Sequence, residues 1–138
     1  MAKRTYIDAC VLIAACCGKE DDPAHLKAMQ ILADPERDFV SSGFLRLEVL
    51  PRARPKSKEF YNRFFRDVVE FAQINDDLVS AAEDLCERHS LSSLDALHAS
   101  AALSVKTDVF VTKEKKNKPL HSIPGLVAQG INPSDTEE

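Results

Sequence analysis

The chain has no pair of cysteines spaced C-x-x-C, no internal repeat and no low-complexity segment. Its four cysteines are Cys10, Cys16, Cys17 and Cys86, two of them adjacent, which argues against a zinc site. They fall in apolar segments and read as small buried hydrophobes in a reducing compartment. Lys3 and Arg4 precede an apolar stretch, as in an export signal, but Asp8 interrupts it. No small-residue cleavage pattern follows before Lys19-Glu20-Asp21-Asp22. The expected location is therefore the cytoplasm, with no membrane partner. Asp95 and His98 form one Asp-x-x-His pair with no matching second pair, which argues against iron and leaves His98 to packing or to supporting a ligand. His25, His89 and His121 have no local partners. No second acid stands two residues after Asp8, which argues against a phosphoryl-transfer site with Asp8 as nucleophile.

What the chain has is a set of carboxylates in apolar surroundings. Asp8 interrupts Tyr6-Ile7-Asp8-Ala9-Cys10-Val11-Leu12-Ile13; Glu48 lies in Phe44-Leu45-Arg46-Leu47-Glu48-Val49-Leu50; Asp95 lies in Leu94-Asp95-Ala96-Leu97. Glu114 follows the short apolar run Val109-Phe110-Val111-Thr112. A buried carboxylate without a partner is costly, and several together raise one another's pKa. No arginine or lysine is placed to neutralise all four, so a divalent cation is the expected partner. Each acid also has a plainer reading. Asp95 could complete a Ser92-x-x-Asp95 capping box, and Asp8 could end a strand in a turn. Glu48 could extend to solvent beside Arg46 or Arg52, and Glu114 could be a solvated acid among Lys113, Lys115, Lys116 and Lys118.

With 138 residues and 44% hydrophobic content, the chain suits one globular domain, expected over 1–131 with a disordered tail at 132–138. The net charge of −4 conceals a basic segment: Arg46, Arg52, Arg54, Lys56, Lys58, Arg63 and Arg66. Its distribution suits phosphate contact better than the sum suggests.

Strands are expected at 4–7, 38–41, 73–75, 109–112 and 127–129. Helices are expected at 10–17, 24–34 (Leu26, Met29, Leu32 and Ala33 inward), 43–50 capped by Ser42, and 59–72 carrying Phe60, Phe64, Val68 and Phe71. Two more are expected, one ending near His89 with Val79, Ala82, Leu85 and Cys86 inward, and one from Ser92 or Ser93 to Leu103. Residues 52–58, with Pro55, read as a basic loop. Alternating strands and helices predict an α/β fold with a mostly parallel sheet of four to five short strands flanked by helices. Ligands of such sheets bind beyond the carboxyl ends of the strands, where Asp8, Glu114 and Asp95 should meet.

Four segments, in order, resemble the PIN domain, especially VapC-type toxin ribonucleases: 6–13 with Asp8, 41–48 with Glu48, 91–99 with Asp95, and 108–114 with Glu114. The likeness runs over roughly residues 4–130. It implies a three-layer PIN-like fold and a metal-dependent endoribonuclease using Mg²⁺ or Mn²⁺ on RNA, restrained by an antitoxin protein and commonly a homodimer. It implies Asp8 as the central ligand, Asp95 and Glu114 as further ligands, and Glu48 as a ligand of a second metal or a holder of the attacking water. Thr112 and Ser42 would orient the carboxylates. From its charge and its place after the Glu48 helix, the segment with Arg52, Arg54, Lys56 and Lys58 reads either as a solvated loop or as a contact for RNA phosphates. Two positions depart from the family pattern. Ala9 stands where a hydroxylated residue is usual, and Glu114 where an aspartate is usual. A catalytically degenerate, RNA-binding PIN domain is the alternative these departures suggest.

Overall fold

A computed structural model of the chain describes residues 2–132. Five strands, β1 (Lys3–Ile7), β2 (Arg37–Ser41), β3 (Glu70–Phe71), β4 (Val109–Thr112) and β5 (Ala128–Gly130), form one sheet in the order β3-β2-β1-β4-β5, every pair parallel. Six helices cover it: α1 (Ala9–Cys17), α2 (Pro23–Ala33), α3 (Gly43–Val49), α4 (Pro55–Asp67), α5 (Asp76–His89) and α6 (Ser93–Ser104). The expected three-layer α/β architecture is observed.

A parallel sheet covered on both faces needs apolar side chains on both sides of each inner strand, and the alternation of β1 and β4 supplies them. Tyr6 and Phe110 point to the α5–α6 side, where they stack with ring centroids 5.3 Å apart. Ile7, Val109 and Val111 point to the side of α1, α2 and α4. Ala96, Ala99, Ala101 and Ala102 are fully buried, so α6 meets its neighbours through methyl groups and lies close to the sheet.

Several local expectations are corrected. Pro55 does not sit in a basic loop; it occupies the first turn of α4, where its missing N–H costs nothing. The helix expected over 59–72 ends at Asp67. Val69 N–H then donates to Phe39 O (2.9 Å) and Ala72 N–H to Ser41 O (2.9 Å), so the third strand is β3 and not 73–75. Two adjacent β-branched valines, Val68 and Val69, suit that extended run. In α2 the inward face is Ala24, Ala28 and Ile31, while Leu26 and Met29 face solvent at 51% and 39% exposure. Small residues win that face because α1 packs closely against it. In α5, Leu78 is buried with Ala82 and Leu85, and Val79 lies outward. Cys10 and Cys17 are exposed and Cys16 and Cys86 half-buried, because α1 buries Ala9, Val11, Leu12 and Ala15 instead. The Asn132 amide donates to Lys113 O; the rest of the expected tail, 133–138, lies outside the described residues.

The turn between α1 and α2 is tightly packed. The Ala14 carbonyl accepts from Gly18 N–H (3.0 Å) and pairs with His25 Nδ1 (2.8 Å), so His25 has a partner after all. A Cβ on Gly18 would lie 2.4 Å from Ala14 O and 2.7 Å from His25 Cβ. Gly18→Ala is therefore expected to destabilise the protein by about 1–3 kcal/mol, the usual cost of overpacking. Urea unfolding should show the midpoint falling at constant slope; an unchanged midpoint would mean that this turn yields freely.

Candidate active site

The sheet order reverses beside β1. From β1 the chain moves outward through β2 and β3, then returns to β1's other edge with β4 and moves outward again to β5. A crevice opens at the carboxyl ends of strands where the order reverses. Asp8 follows β1 and Glu114 follows β4, so the crevice receives an acid from each wall. Asp95 enters from the first turn of α6, and Glu48 from α3, which follows β2. All four acids line one cavity of about 200 Å³, together with Cys10, His98 and Lys113. A larger open groove of about 610 Å³ lies between β3, α5 and α6. Its acids, Glu70 and Asp77, belong to an open surface, and Glu70 is paired with Arg4. The smaller cavity is the one that gathers all four acids.

Each acid is held differently. Asp8 caps α1: Val11 N–H donates to its Oδ1 (3.1 Å), and its own N–H donates to Val111 O across the sheet (3.1 Å). The Thr112 hydroxyl also bonds its carboxylate. Burial raises the Asp8 carboxyl to about 6; the Thr112 and Val11 bonds and nearby His98 oppose this, and Asp95 adds to it. Asp95 stands in the first turn of α6, where its N–H donates to the capping hydroxyl of Ser92 (3.2 Å). Glu114 is tied through its backbone. Its N–H donates to Thr112 Oγ1 (3.0 Å) and its carbonyl accepts from His121 Nε2 (2.8 Å), a partner for His121 that sequence spacing did not show.

Glu48 is bound by a side chain on another helix. His98 Nε2 pairs with Glu48 Oε1, His98 Nδ1 with the Tyr6 hydroxyl (2.7 Å), and Tyr6 with Ser42 Oγ (2.7 Å). Ser42 makes no side-chain cap to α3 and touches no carboxylate; it reaches Glu48 only through Tyr6 and His98. Burial pushes the Tyr6 phenol well above its ordinary range, so it stays a donor at neutral pH. Tyr6 was missed in the sequence. The available signal was a tyrosine in an apolar strand, since a buried phenol must find a polar partner.

The basic segment lies apart from the acids. Arg52 and Arg54 are exposed before α4, and Lys56 and Lys58 are exposed in its first turn. None of the four lines the acidic cavity; Lys113 is the lysine that does. Among the described residues, no group of three or more His, Cys, Asp or Glu side chains is arranged as a ready metal site. The donor set itself suits a hard divalent cation: four carboxylates from four segments, in a crevice where burial already disfavours the charge on Asp8.

The raised Asp8 carboxyl has a consequence for stability. Its proton is bound more tightly in the folded chain than in the unfolded one. The resulting stability is complete below about pH 4 and is lost as pH rises through about 6. In chelator, unfolding free energy is expected to fall over that window by up to ~3 kcal/mol. Asp8→Asn keeps an oxygen for the Val11 amide and should flatten the fall. Urea melts at pH 4, 5, 6 and 7 check this; parallel pH profiles for the two proteins would show that Asp8 is not the group responsible.

Comparison with known proteins bears on the fold and the family. No curated protein matches the chain. Among solved structures, VapBC2 from Rickettsia felis bound to a promoter DNA fragment superposes with a TM-score of 0.65 at 15% identity, covering 92% of this chain and 98% of that one. A toxin–antitoxin complex from Klebsiella pneumoniae superposes at 0.65 with 22% identity, covering 89% and 95%. At these identities the likeness establishes the fold. The family model described as PIN domain matches residues 5–120, a span that takes in most of β1, all of β4 and all four acids, and the chain therefore belongs to the PIN domain family.

Proposed function

We propose that the chain is a metal-dependent endoribonuclease of VapC type, hydrolysing RNA phosphodiester bonds. The observation that carries this reading is the convergence of Asp8, Glu48, Asp95 and Glu114 on one cavity at the reversal of sheet order. Asp8, Asp95 and Glu114 would hold Mg²⁺ or Mn²⁺, and Glu48 would hold a second ion or the attacking water. Such an ion lowers the pKa of bound water and offsets charge on the attacked phosphate. The chain's own residues supply the rest. Thr112 steadies Asp8 and the turn to Glu114. Lys113, exposed at the cavity mouth, offers a cation to the phosphate that the acids alone would repel. Arg52, Arg54, Lys56 and Lys58, exposed around the start of α4, supply further phosphate contacts outside the cavity. An antitoxin protein partner is supported by the toxin–antitoxin nature of the Klebsiella pneumoniae neighbour. A homodimer is supported by exposed apolar side chains on neighbouring elements, including Leu47, Ile74 and Val79. No helix among the described residues is long and apolar enough to cross a membrane.

The test is cleavage of single-stranded RNA by the purified chain with Mg²⁺, Mn²⁺ or chelator. Cleavage is expected only with metal, and Asp8→Ala should lower it by more than about 100-fold, the upper range for losing a merely supporting group. Glu114→Ala should cost less than Asp8→Ala, because the longer side chain is expected to reach the ion through water. Equal losses would make Glu114 a direct ligand. RNA binding without cleavage under any metal condition would instead favour the degenerate, RNA-binding reading.

Replacing Arg52, Arg54, Lys56 and Lys58 together with serine is expected to reduce the salt dependence of RNA affinity. The log–log slope should fall by up to about 3, near 0.7 for each phosphate contact on a single strand. Titration of labelled RNA at several salt concentrations measures it. An unchanged slope would place the RNA elsewhere, along Lys113 to Lys118.

A further inference from the structure

Three of the four acids are placed by short side chains or by their own backbone. Asp8 is pinned by Val11 and Thr112, Asp95 sits on a capped helix turn, and Glu114 is anchored at its N–H and carbonyl. Glu48 has none of this. It is a long side chain with several rotamers, on a seven-residue helix, between the exposed Leu47 and the buried Val49. What holds it is His98, whose side chain is 4% exposed against 26% for Glu48.

His98 is itself held on every side. Phe44, one turn before Glu48 on α3, meets its ring edge-on (centroids 6.4 Å, 86°), and Tyr6 meets it at 5.7 Å and 64°. With a proton on Nε2, every link in the chain has a donor and an acceptor. Ser42 O–H donates to Tyr6, Tyr6 O–H donates to His98 Nδ1, and His98 Nε2–H donates to Glu48 Oε1. One oxygen of Glu48 is thereby engaged, and Oε2 is left for the cavity.

We infer that His98 is a positioning residue of the acidic site. Backed by Tyr6 and Ser42, it fixes Glu48 so that a single carboxylate oxygen is presented to whatever the cavity binds. This rests on the proposed cation site for its functional meaning, but the hydrogen-bond relay exists without a cation. A buried histidine serving only to satisfy Tyr6 would need Nδ1 alone, and nothing would then couple it to Glu48.

The experiment uses the full chain in two states. In metal-free protein, the imidazole N–H proton of His98 is read by ¹H–¹⁵N correlation. It is expected to be protected from exchange in wild type and to exchange rapidly in Glu48→Ala; no protection in wild type overturns the relay. Mn²⁺ affinity is then measured calorimetrically. His98→Asn can reach Tyr6 but not Glu48, and is expected to weaken Mn²⁺ about 10–100-fold, the range for removing a partner that orients a ligand. The double variant with Glu48→Ala should bind no more weakly than Glu48→Ala alone. His98→Gln places an amide near the Nε2 position and should restore affinity to within about threefold of wild type. Tyr6→Phe tests the relay from behind should His98→Asn not fold, and it should weaken Mn²⁺ by a smaller factor. Wild-type affinity in both His98→Asn and Tyr6→Phe, or losses that multiply in the double variant, overturns the inference. If wild type takes up no Mn²⁺, the cation reading of the cavity fails, and the imidazole signal alone decides the relay.

Discussion

Strand β1 is bonded along both edges and covered on both faces, and the rest of the molecule is arranged around it. Its Tyr6 and Ile7 open the two halves of the core, and the residue after it starts a helix while facing a cavity. Asp8 therefore answers two demands at once. Its backbone N–H continues the pairing to β4 through Val111, and its carboxylate closes the exposed amide at the start of α1. The carboxylate cannot retreat to solvent without releasing that amide. Its unfavourable burial is thus a condition of the fold.

Much of this was legible in the chain. The acids stand at element boundaries, and strand–helix alternation places such boundaries on one edge of a parallel sheet. The places where sequence reasoning went astray share one physical cause: local pattern does not say which neighbour will arrive. Pro55 reads as a breaker until it is seen to open α4. Leu26 and Met29 read as a core face until α1 claims the alanines on the other side of α2. Residues 68–71 continue a helical pattern, but the free edge of β2 offers hydrogen bonds that draw them into a strand. Ser42 has the chemistry of a cap and spends it on Tyr6, which lies 36 positions earlier.

The same limit explains why the site was read as four acids when it holds more. Carboxylates in apolar runs announce themselves by their cost. A tyrosine in an apolar strand does not, because it is ordinary in a core, and the Asp95-x-x-His98 spacing alone left His98 between packing and supporting a ligand. Lys113 was hidden differently, as one of several lysines on a charged loop. Only the sheet order shows that it sits at the mouth of the cavity while its neighbours do not line it.

The pairing of β1 with β4 also bears on time. Arg4 N–H donates to Asp108 Oδ2 (2.9 Å) over a separation of 104 residues, and β4 carries the last wall of the cavity. At synthesis rates of roughly 5–20 residues per second, β1 waits on the order of ten seconds for that partner. A chain leaving the ribosome can form α1 and α2 early, but Asp8 cannot face Glu114 until nearly the whole sequence has emerged. Whatever the cavity does, a chain that stops short of β4 and Glu114 cannot do it, because one wall of the site is missing.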